Sequence, residues 1–326
     1  MTTAWQNLDD VALREVFKSA DAATLHKCRQ VCYSWNQEIL RLNKSIRKFQ
    51  PDSIMMEVEG NCFRVYLGTP KSPKPFEDPS VSSSVVRRVL RHVAPPQTLA
   101  MLFKEDVDKD TIGSVVDGMS SDWCLEIQQL ELVTYPASNL FKILGTLDKF
   151  SHLVTLSLSH YCNQQISCAD IFKKLPELRN LRIFAFNGNS DTGVPSGLIF
   201  DEAAVEALLA NQNGGRKLQR VELYNTDISV TMDVMISALQ TLARLPMHSG
   251  ILEKPLLLED QKEVSTVHLL FDNCLWYTIK ELDLLAEVIR ISSEINFPIR
   301  QDEEVLKGDF RFHIFDTQFV LKFQAC

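Results

Sequence analysis

The sequence predicts an α/β fold in which three short amino-terminal helices precede a repeating series of parallel strands with outer helices. Over residues 5–45, apolar residues recur at three- and four-residue steps, as in short amphipathic helices. From residue 98 onward, a short pattern, apolar-x-x-apolar-x-apolar, recurs along the chain. Segments with helical spacing lie between these recurrences. The chain therefore combines a small helical unit with a larger strand-and-helix body.

The amino-terminal unit is assigned to residues 1–48. Its first helix carries Leu13 and Phe17 on one apolar face, and Asp21 is a suitable N-cap for the second helix. A third helix carries Trp35. Helices in a unit of about 40 residues cannot bury all their apolar faces alone. We therefore expect this unit to pack against the body or against a partner.

Residues 49–97 are predicted to form a hairpin and a linker. Two apolar stretches within residues 54–67 flank Gly60 and Asn61, the arrangement expected of two strands joined by a tight turn. Residues 69–84 are rich in Pro, Ser and Lys and have no periodicity, which is typical of a linker or surface loop.

Residues 98–326 are assigned to a leucine-rich-repeat-like body. The recurring cores occupy residues 127–132, 153–158, 178–183, 218–223 and 264–269. The first three cores start 26 and 25 residues apart, and the later gaps are 40 and 46 residues. A repeat of about 20–29 residues with this core is typical of leucine-rich repeats. The longer gaps predict insertions, including a loop at residues 188–197.

Helical segments are predicted between the cores, at residues 139–150, 168–175, 202–213, 231–245 and 280–295. Strand–helix units repeated with one hand stack into an irregular solenoid with parallel strands and outer helices. Apolar and polar residues alternate in residues 310–314 and 319–323, which predicts a final hairpin that would cap the sheet. No Asn closes each repeat consistently, so an irregular α/β domain with parallel strands stays an alternative.

Composition excludes several function classes. The net charge is -8 and the Lys and Arg residues are scattered, which argues against nucleic acid or an anionic membrane as the partner. No signal peptide and no apolar run of about 20 residues is expected. The chain has 8 Cys and no CxxC pair, which predicts reduced thiols in the cytosol or nucleus, with no metal site and no cofactor.

The first 40 residues resemble the F-box domain. The match lies in Trp5 and Leu8, in Leu13-Arg-Glu-Val16-Phe17, in Asp21-Ala-Ala-Thr-Leu25 and in Cys28-Arg-Gln-Val31-Cys32-Tyr-Ser-Trp35-Asn36. The usual Pro after the first Leu is Asp9 here, and the usual Leu three residues after the Phe is Ala20. The second change removes apolar contact that the family normally supplies, so we expect adaptor binding to be weaker than typical, or lost.

The resemblance also implies a function, that of substrate-recognition subunit in a SKP–cullin–F-box ubiquitin ligase. The expected partners are a SKP-family adaptor, a cullin–RING ligase reached through it, and an unknown protein client. The residues that the resemblance assigns to adaptor binding are Leu8, Leu13, Val16, Phe17, Leu25, Val31, Cys32 and Trp35.

The repeat pattern supplies candidate client-binding residues. In each predicted strand, the side chains between the core leucines point outward from the concave face of the sheet. A mixed polar face with Arg and Tyr is typical of interfaces. The candidates are Glu131, Ser157, Arg182, Arg220, Glu222, Tyr224 and His268.

Enzymatic function finds little support in the sequence. The chain has no Gly-rich phosphate loop, no GxSxG and no HExxH, so no catalytic residue is predicted. Two alternatives stay open. One is an adaptor-independent scaffold in which residues 5–45 only cap the solenoid, and the other is an enzyme whose site is formed by unrecognised loops.

Overall fold

The structure is a computed structural model. It describes residues 10–20, 22–42, 51, 53–68, 75–91, 93–135, 137–161, 165–186, 197–212, 218–245, 265–272, 274–278, 281–292, 294–296, 308–315 and 317–324.

Helices and strands alternate along most of the described chain. The helices are α1 (Asp10–Ser19), α2 (Ala22–Arg29), α3 (Tyr33–Arg41), α4 (Ser83–Leu90), α5 (Lys109–Gly118), α6 (Ser121–Glu126), α7 (Ala137–Leu144), α8 (Cys168–Phe172), α9 (Glu202–Ala210), α10 (Met232–Arg244) and α11 (Glu281–Ile291). The strands are β1 (Ser53–Glu59), β2 (Cys62–Gly68), β3 (Phe76–Asp78), β4 (Thr98–Lys104), β5 (Gln129–Thr134), β6 (Thr155–Tyr161), β7 (Ile166–Ser167), β8 (Asn180–Phe186), β9 (Leu198–Asp201), β10 (Arg220–Tyr224), β11 (Asp227–Ser229), β12 (Ser265–Asp272), β13 (Leu275–Trp276), β14 (Glu294–Asn296), β15 (Gly308–Ile314) and β16 (Thr317–Gln324).

The helices α1 to α3 form a unit that we call the helical module. Leu13, Phe17, Leu25 and Ile39 are buried together, and they come from all three helices. The ring of Trp35 meets that of Phe17 edge-on, with 5.4 Å between the ring centroids. The module therefore has a small apolar core of its own.

Twelve strands form one large sheet, in the order β14-β15-β16-β12-β10-β8-β6-β5-β4-β1-β2-β3. From β1 through β4, β5, β6, β8, β10 and β12 to β16, each neighbouring pair is parallel. Antiparallel pairs stand at the two ends of the sheet. The fold is therefore mixed α/β with a large, mostly parallel sheet, as the sequence predicts.

The five predicted cores are confirmed as neighbouring parallel strands, β5, β6, β8, β10 and β12. One buried residue of each core stands in the same register row: Leu130, Leu156, Leu181, Val221 and Leu269. The row takes the fourth position of the first four cores but the sixth position of the last, so the last core is shifted in register by two residues. All five residues pack into one continuous core.

The first hairpin belongs to the large sheet. Its strands β1 and β2 pair with Glu59 opposite Cys62, so Gly60 and Asn61 form the turn. Gly60 has φ +55°, a backbone conformation that suits glycine. Strand β1 also pairs in parallel with β4. The part of the expected linker that the structure describes carries β3 and α4, and the domain limits stay a prediction.

The sequence analysis did not predict a second sheet. It has four short parallel strands in the order β13-β11-β9-β7. Each follows a strand of the large sheet and precedes a helix of the body. Strands of two to four residues are too short to show a period-two pattern. The predicted loop at residues 188–197 lies outside the described residues, apart from Gly197.

The predicted carboxy-terminal hairpin is formed by β15 and β16, and β16 pairs in parallel with β12. The hairpin therefore extends the sheet, with β14 added at its edge. The preceding helix α11 ends at Ile291, where the sequence analysis extended a helix to residue 295. The reason for the difference is that residues 294–296 pair with β15 as β14.

Helices cover one face of the large sheet. Side chains such as Ile112 of α5, Leu140 of α7 and Leu239 of α10 belong to the same buried cluster as the inward residues of β5, β6 and β8. Along these strands, buried residues alternate with half-buried or exposed ones. We call the second set, with its neighbours on β4 and β10, the open face. None of the described helices combines the length and the apolar character needed to cross a bilayer.

Candidate functional site

The residues predicted to bind an adaptor separate into buried and exposed sets. Leu13, Phe17 and Leu25 lie in the core of the helical module, and Trp35 is half-buried against Phe17. Val16, Val31 and Cys32 are exposed. Leu8 lies outside the described residues. The three buried residues hold the helices together, so their side chains are part of the module's core and not of its surface.

Exposed apolar side chains mark the surface of the helical module. The exposed fractions are 44% for Val16, 63% for Val31 and 78% for Tyr33, values unusual for large apolar residues. Tyr33 was missed in the sequence analysis. It opens α3 directly after Cys32, whose Sγ accepts a hydrogen bond from the backbone N–H of Trp35 at 3.5 Å. This cap fixes the start of α3 and thereby the position of Tyr33.

The core of the helical module is separate from that of the body. Among the described residues, the buried cluster of the module contains residues from Leu13 to Ile39, and the cluster of the body begins at Ile54. A module that owed its stability to the body would share buried residues with it. Within the described residues, the module and the body therefore have separate apolar cores.

The candidate client-binding residues lie on the open face in regular rows. Glu131 of β5, Ser157 of β6, Arg182 of β8 and Glu222 of β10 occupy one register row. His268 of β12 is in register with Arg220, and Tyr224 is in register with Phe184. Exposure differs along the rows: Glu131, Arg220 and His268 are exposed, Ser157, Arg182 and Tyr224 are half-buried, and Glu222 is buried.

Four of these residues form one cluster around Glu222. Arg182 Nε lies 2.8 Å from Glu222 Oε2, Arg220 Nε is paired with Oε1, and the Tyr224 hydroxyl donates to Oε2 at 3.1 Å. The carboxylate is covered, with a side-chain exposure of 2%, whereas the two arginine side chains are 42% and 46% exposed. The open face therefore presents cationic groups here and conceals the anion.

An aromatic row, defined as Tyr135, Tyr161, Phe184, Phe186 and Tyr224, continues the open face toward the carboxyl ends of the strands. Ring centroids are 4.1 Å apart for Tyr135 and Tyr161, 4.6 Å for Tyr161 and Phe186, and 4.1 Å for Phe184 and Tyr224, with each pair stacked. Tyr135 is exposed and the other four are half-buried. Stacked rings with one side toward solvent are suited to contact a partner.

Four rings of the aromatic row were missed because the sequence analysis stopped at the end of each core. The alternation continues past the core: Tyr161 lies four residues after Ser157, and Phe184 and Phe186 follow Arg182 at steps of two. Extending the period-two pattern would have placed them on the same face.

The pKa values of two tyrosines in the row are raised. Burial raises the pKa of Tyr135 to about 12, and a hydrogen bond with Tyr161 acts in the same direction. Burial and the Glu222 carboxylate raise the pKa of Tyr224 to about 12. Both phenols are therefore protonated near neutral pH and keep their donor capacity.

An apolar hollow of about 450 Å³ adjoins the aromatic row. It is lined by Met55, Ala100, Leu102, Val133 and Tyr135, with Met101, Lys104 and Glu105 also contributing. Since Tyr135 belongs to both features, the hollow and the row form one continuous apolar surface. This surface crosses β1, β4, β5, β6, β8 and β10.

A charged cluster borders the hollow. Glu57 of β1 is buried and accepts hydrogen bonds from Lys104 and Arg64 at 2.9 Å each and from Tyr66 at 3.1 Å. Burial by itself would raise the pKa of Glu57, but these hydrogen bonds together hold that pKa below its ordinary value. Glu57 therefore stays ionised and links β1 to its neighbours β2 and β4.

Groups with metal-binding chemistry do not assemble into a site within the described residues. No three His, Cys, Asp or Glu residues there are placed to hold a metal ion. His160 is buried in the core beside Thr134, and burial lowers its pKa to about 4. Burial raises the pKa of the Cys168 thiol well above its ordinary value. Both side chains are core residues of the body.

Comparison with known families identifies the amino-terminal part of the chain. The model of the F-box domain family matches residues 5–47, which include the described helical module. No curated protein matches the chain. The chain thus carries an F-box domain at residues 5–47, and the family match does not extend to the body.

Proposed function

We propose that this F-box protein is the substrate-recognition subunit of a SKP–cullin–F-box ubiquitin ligase in the cytosol or nucleus. The F-box domain binds a SKP-family adaptor, and the open face of the body binds a protein client. The observation that carries this proposal is the F-box domain at residues 5–47, a type of domain that binds such adaptors. Under this proposal the protein is not itself an enzyme, because the ligase complex performs the transfer and this subunit supplies proximity.

The exposed apolar residues of the helical module support adaptor binding. Val16, Val31 and Tyr33 are the exposed large apolar residues of its described part. Specific interfaces of about 1,600 Å² owe most of their affinity to a few such residues. Leu13, Phe17, Leu25 and Trp35 would fix the helices that present them.

We also propose that the body is an irregular leucine-rich-repeat-like solenoid. Its support is the sequential order of β4, β5, β6, β8, β10 and β12, in which each strand pairs in parallel with the next. Two asparagines bond to neighbouring units, as Asn139 Nδ2 donates to Glu105 O and Asn225 Nδ2 donates to Ala185 O. A stack of this kind offers a broad, preformed surface for a protein.

The decisive experiment tests the adaptor. The full-length protein is mixed with a SKP-family adaptor at micromolar concentration and analysed by size exclusion. We expect the wild type to co-elute with the adaptor. Val16→Asp places a charge in the proposed interface, where desolvation is costly, and should abolish co-elution. Thr24→Asp adds the same charge at another exposed position of the module and should leave co-elution intact.

Two results would overturn the proposal. One is a wild-type protein that does not co-elute with the adaptor. The other is a Val16→Asp variant that still supports client ubiquitylation at the wild-type rate, which would favour the adaptor-independent scaffold. Hydrogen exchange of α1 to α3 in Val16→Asp shows whether the module remains folded.

A further inference from the structure

We propose that the aromatic row and the Arg182–Arg220 pair bind a short peptide segment of the client in which apolar or aromatic side chains adjoin an acidic residue. This inference rests on the proposed function, because the client is the protein that the receptor captures. It names the chemistry that the open face would recognise.

Apolar recognition follows from the exposure and arrangement of the rings. The five rings of the aromatic row lie on the open face, and the hollow beside Tyr135 adds an apolar depression of about 450 Å³. Aromatic residues are enriched at the centres of protein interfaces, where they bury large area with little loss of conformational entropy. A partner with apolar side chains would remove this surface from water.

Preference for an acidic residue follows from the charges beside the row. Two guanidinium groups carry five N–H donors each, whereas the Glu222 carboxylate offers about four acceptor positions, one of which receives the Tyr224 hydroxyl. Both arginines therefore retain donors, and a second carboxylate is the group that matches their charge and geometry.

Neighbouring acids restrict where the partner's carboxylate sits. Asp272 of β12 is in register with Tyr224, and Glu131 of β5 occupies the row of Arg182 two strands away. Like charges would repel an acidic residue from both positions. Ser157 of β6 and Asn180 of β8 lie on strands between those of the two acids, and neither side chain is charged. The acidic residue is therefore placed over β6 and β8, with the apolar residues toward the row and the hollow.

The length of the segment follows from sheet geometry. The apolar surface runs from Met55 on β1 to Tyr224 on β10 and crosses five strand spacings. At about 4.8 Å per spacing this is roughly 24 Å, which about seven residues of extended peptide cover. A heptapeptide is thus long enough to occupy the surface.

The test uses a displayed library of random heptapeptides selected on the full-length protein. We expect enrichment of sequences with aromatic or aliphatic residues next to Asp or Glu. The most enriched sequence is then synthesised and its affinity measured by fluorescence polarisation. Phe184→Ser should weaken binding about thirtyfold, as expected for an interface hot spot, and Arg220→Gln about tenfold. Tyr135→Ser is a second test at an exposed position, where folding is not at stake.

Matched controls come from the same chain. Tyr277→Ser removes an aromatic residue that is 61% exposed and follows β13, and Arg91→Gln removes an exposed arginine after α4. Both should bind the peptide as the wild type does. Replacing the peptide's Asp or Glu by Asn or Gln should weaken binding to the wild type about tenfold and binding to Arg220→Gln hardly at all.

Three results would overturn this inference. The first is enrichment of peptides without acidic residues, and the second is equal peptide binding by the wild type, Phe184→Ser and Tyr135→Ser. The third is a wild-type dimer, detected by sedimentation, that Phe184→Ser dissociates. The last result would assign the open face to a second copy of the chain. If the protein co-elutes with the adaptor but substitutions in the aromatic row do not weaken peptide binding, this inference alone is wrong. If substitutions in the aromatic row weaken peptide binding but the protein does not co-elute with the adaptor, the ligase proposal is wrong and the peptide site is supported.

Discussion

Among the described residues, four apolar side chains form the buried cluster of the helical module, whereas the cluster of the body runs from Ile54 of β1 to Leu321 of β16. The module exposes Val16, Val31 and Tyr33. The body instead exposes a face of polar and aromatic side chains whose strands are fixed from behind by the core. A small core leaves a unit dependent on partners, and an extensive core provides a rigid surface. The two regions therefore suit different kinds of binding.

The largest effect is expected from Phe17→Ala. Phe17 is fully buried, and such truncations cost about 3–5 kcal/mol, about as much as a core of this size supplies. The module should unfold while the body stays folded. Hydrogen exchange should then show α1 to α3 unprotected and β6 and β8 protected.

Tyr33→Ala is the matched control for Phe17→Ala, since Tyr33 is 78% exposed, and it should leave the helices protected. Loss of protection in both regions with Phe17→Ala would contradict the independence of the two cores.

Leu181→Ala should destabilise the body by about 2–5 kcal/mol, because Leu181 is buried between Leu156 and Val221 and its truncation leaves a cavity. Urea unfolding followed by far-UV circular dichroism measures the loss. Ser157→Ala, on the open face, should stay within about 0.5 kcal/mol of the wild type. If the two variants were equally stable, the assignment of core and open face would be wrong.

Asn139→Ala tests the strand ends of the body. The Asn139 side chain accepts from Val107 N at 3.0 Å and donates to Tyr135 O at 2.8 Å and to Glu105 O, all from a buried position. Its loss leaves buried groups unpaired, and we expect a cost of about 1–3 kcal/mol in urea unfolding. Asn180→Ala, at a half-buried position on β8, should cost less, and the reverse order would refute this role.

The smallest effect is a pH dependence from Glu57. Because the folded-state pKa of Glu57 lies below its ordinary value of 4.5, the ionised group stabilises the body above that pH and the contribution is lost as pH falls through the folded pKa. The free energy of unfolding, measured in urea from pH 6 down to pH 3, should therefore fall less steeply for Glu57→Gln than for the wild type.

Tyr66→Phe removes one of the hydrogen bonds to Glu57 and should give an intermediate slope. Parallel profiles for the wild type and both variants would show that Glu57 does not contribute to acid sensitivity.

The sequence by itself determined the α/β class, the five parallel strands from β5 to β12 and the F-box resemblance of the first residues. These features depend on local periodicity and short motifs, which any one segment displays without its neighbours. The same periodicity placed the outward residues Ser157, Arg182 and Arg220 on one face before any strand pairing was known.

Only the tertiary structure decided which of these residues a partner can reach. Leu13, Phe17 and Leu25 read as interface residues in the sequence, yet packing between the helices buries them. Glu222 read as an outward residue, yet two arginines and Tyr224 cover it. The pairing of β1 with β4 and the continuous aromatic row depend on contacts between distant segments. A single sequence records the polarity of each residue, but lateral packing sets its exposure.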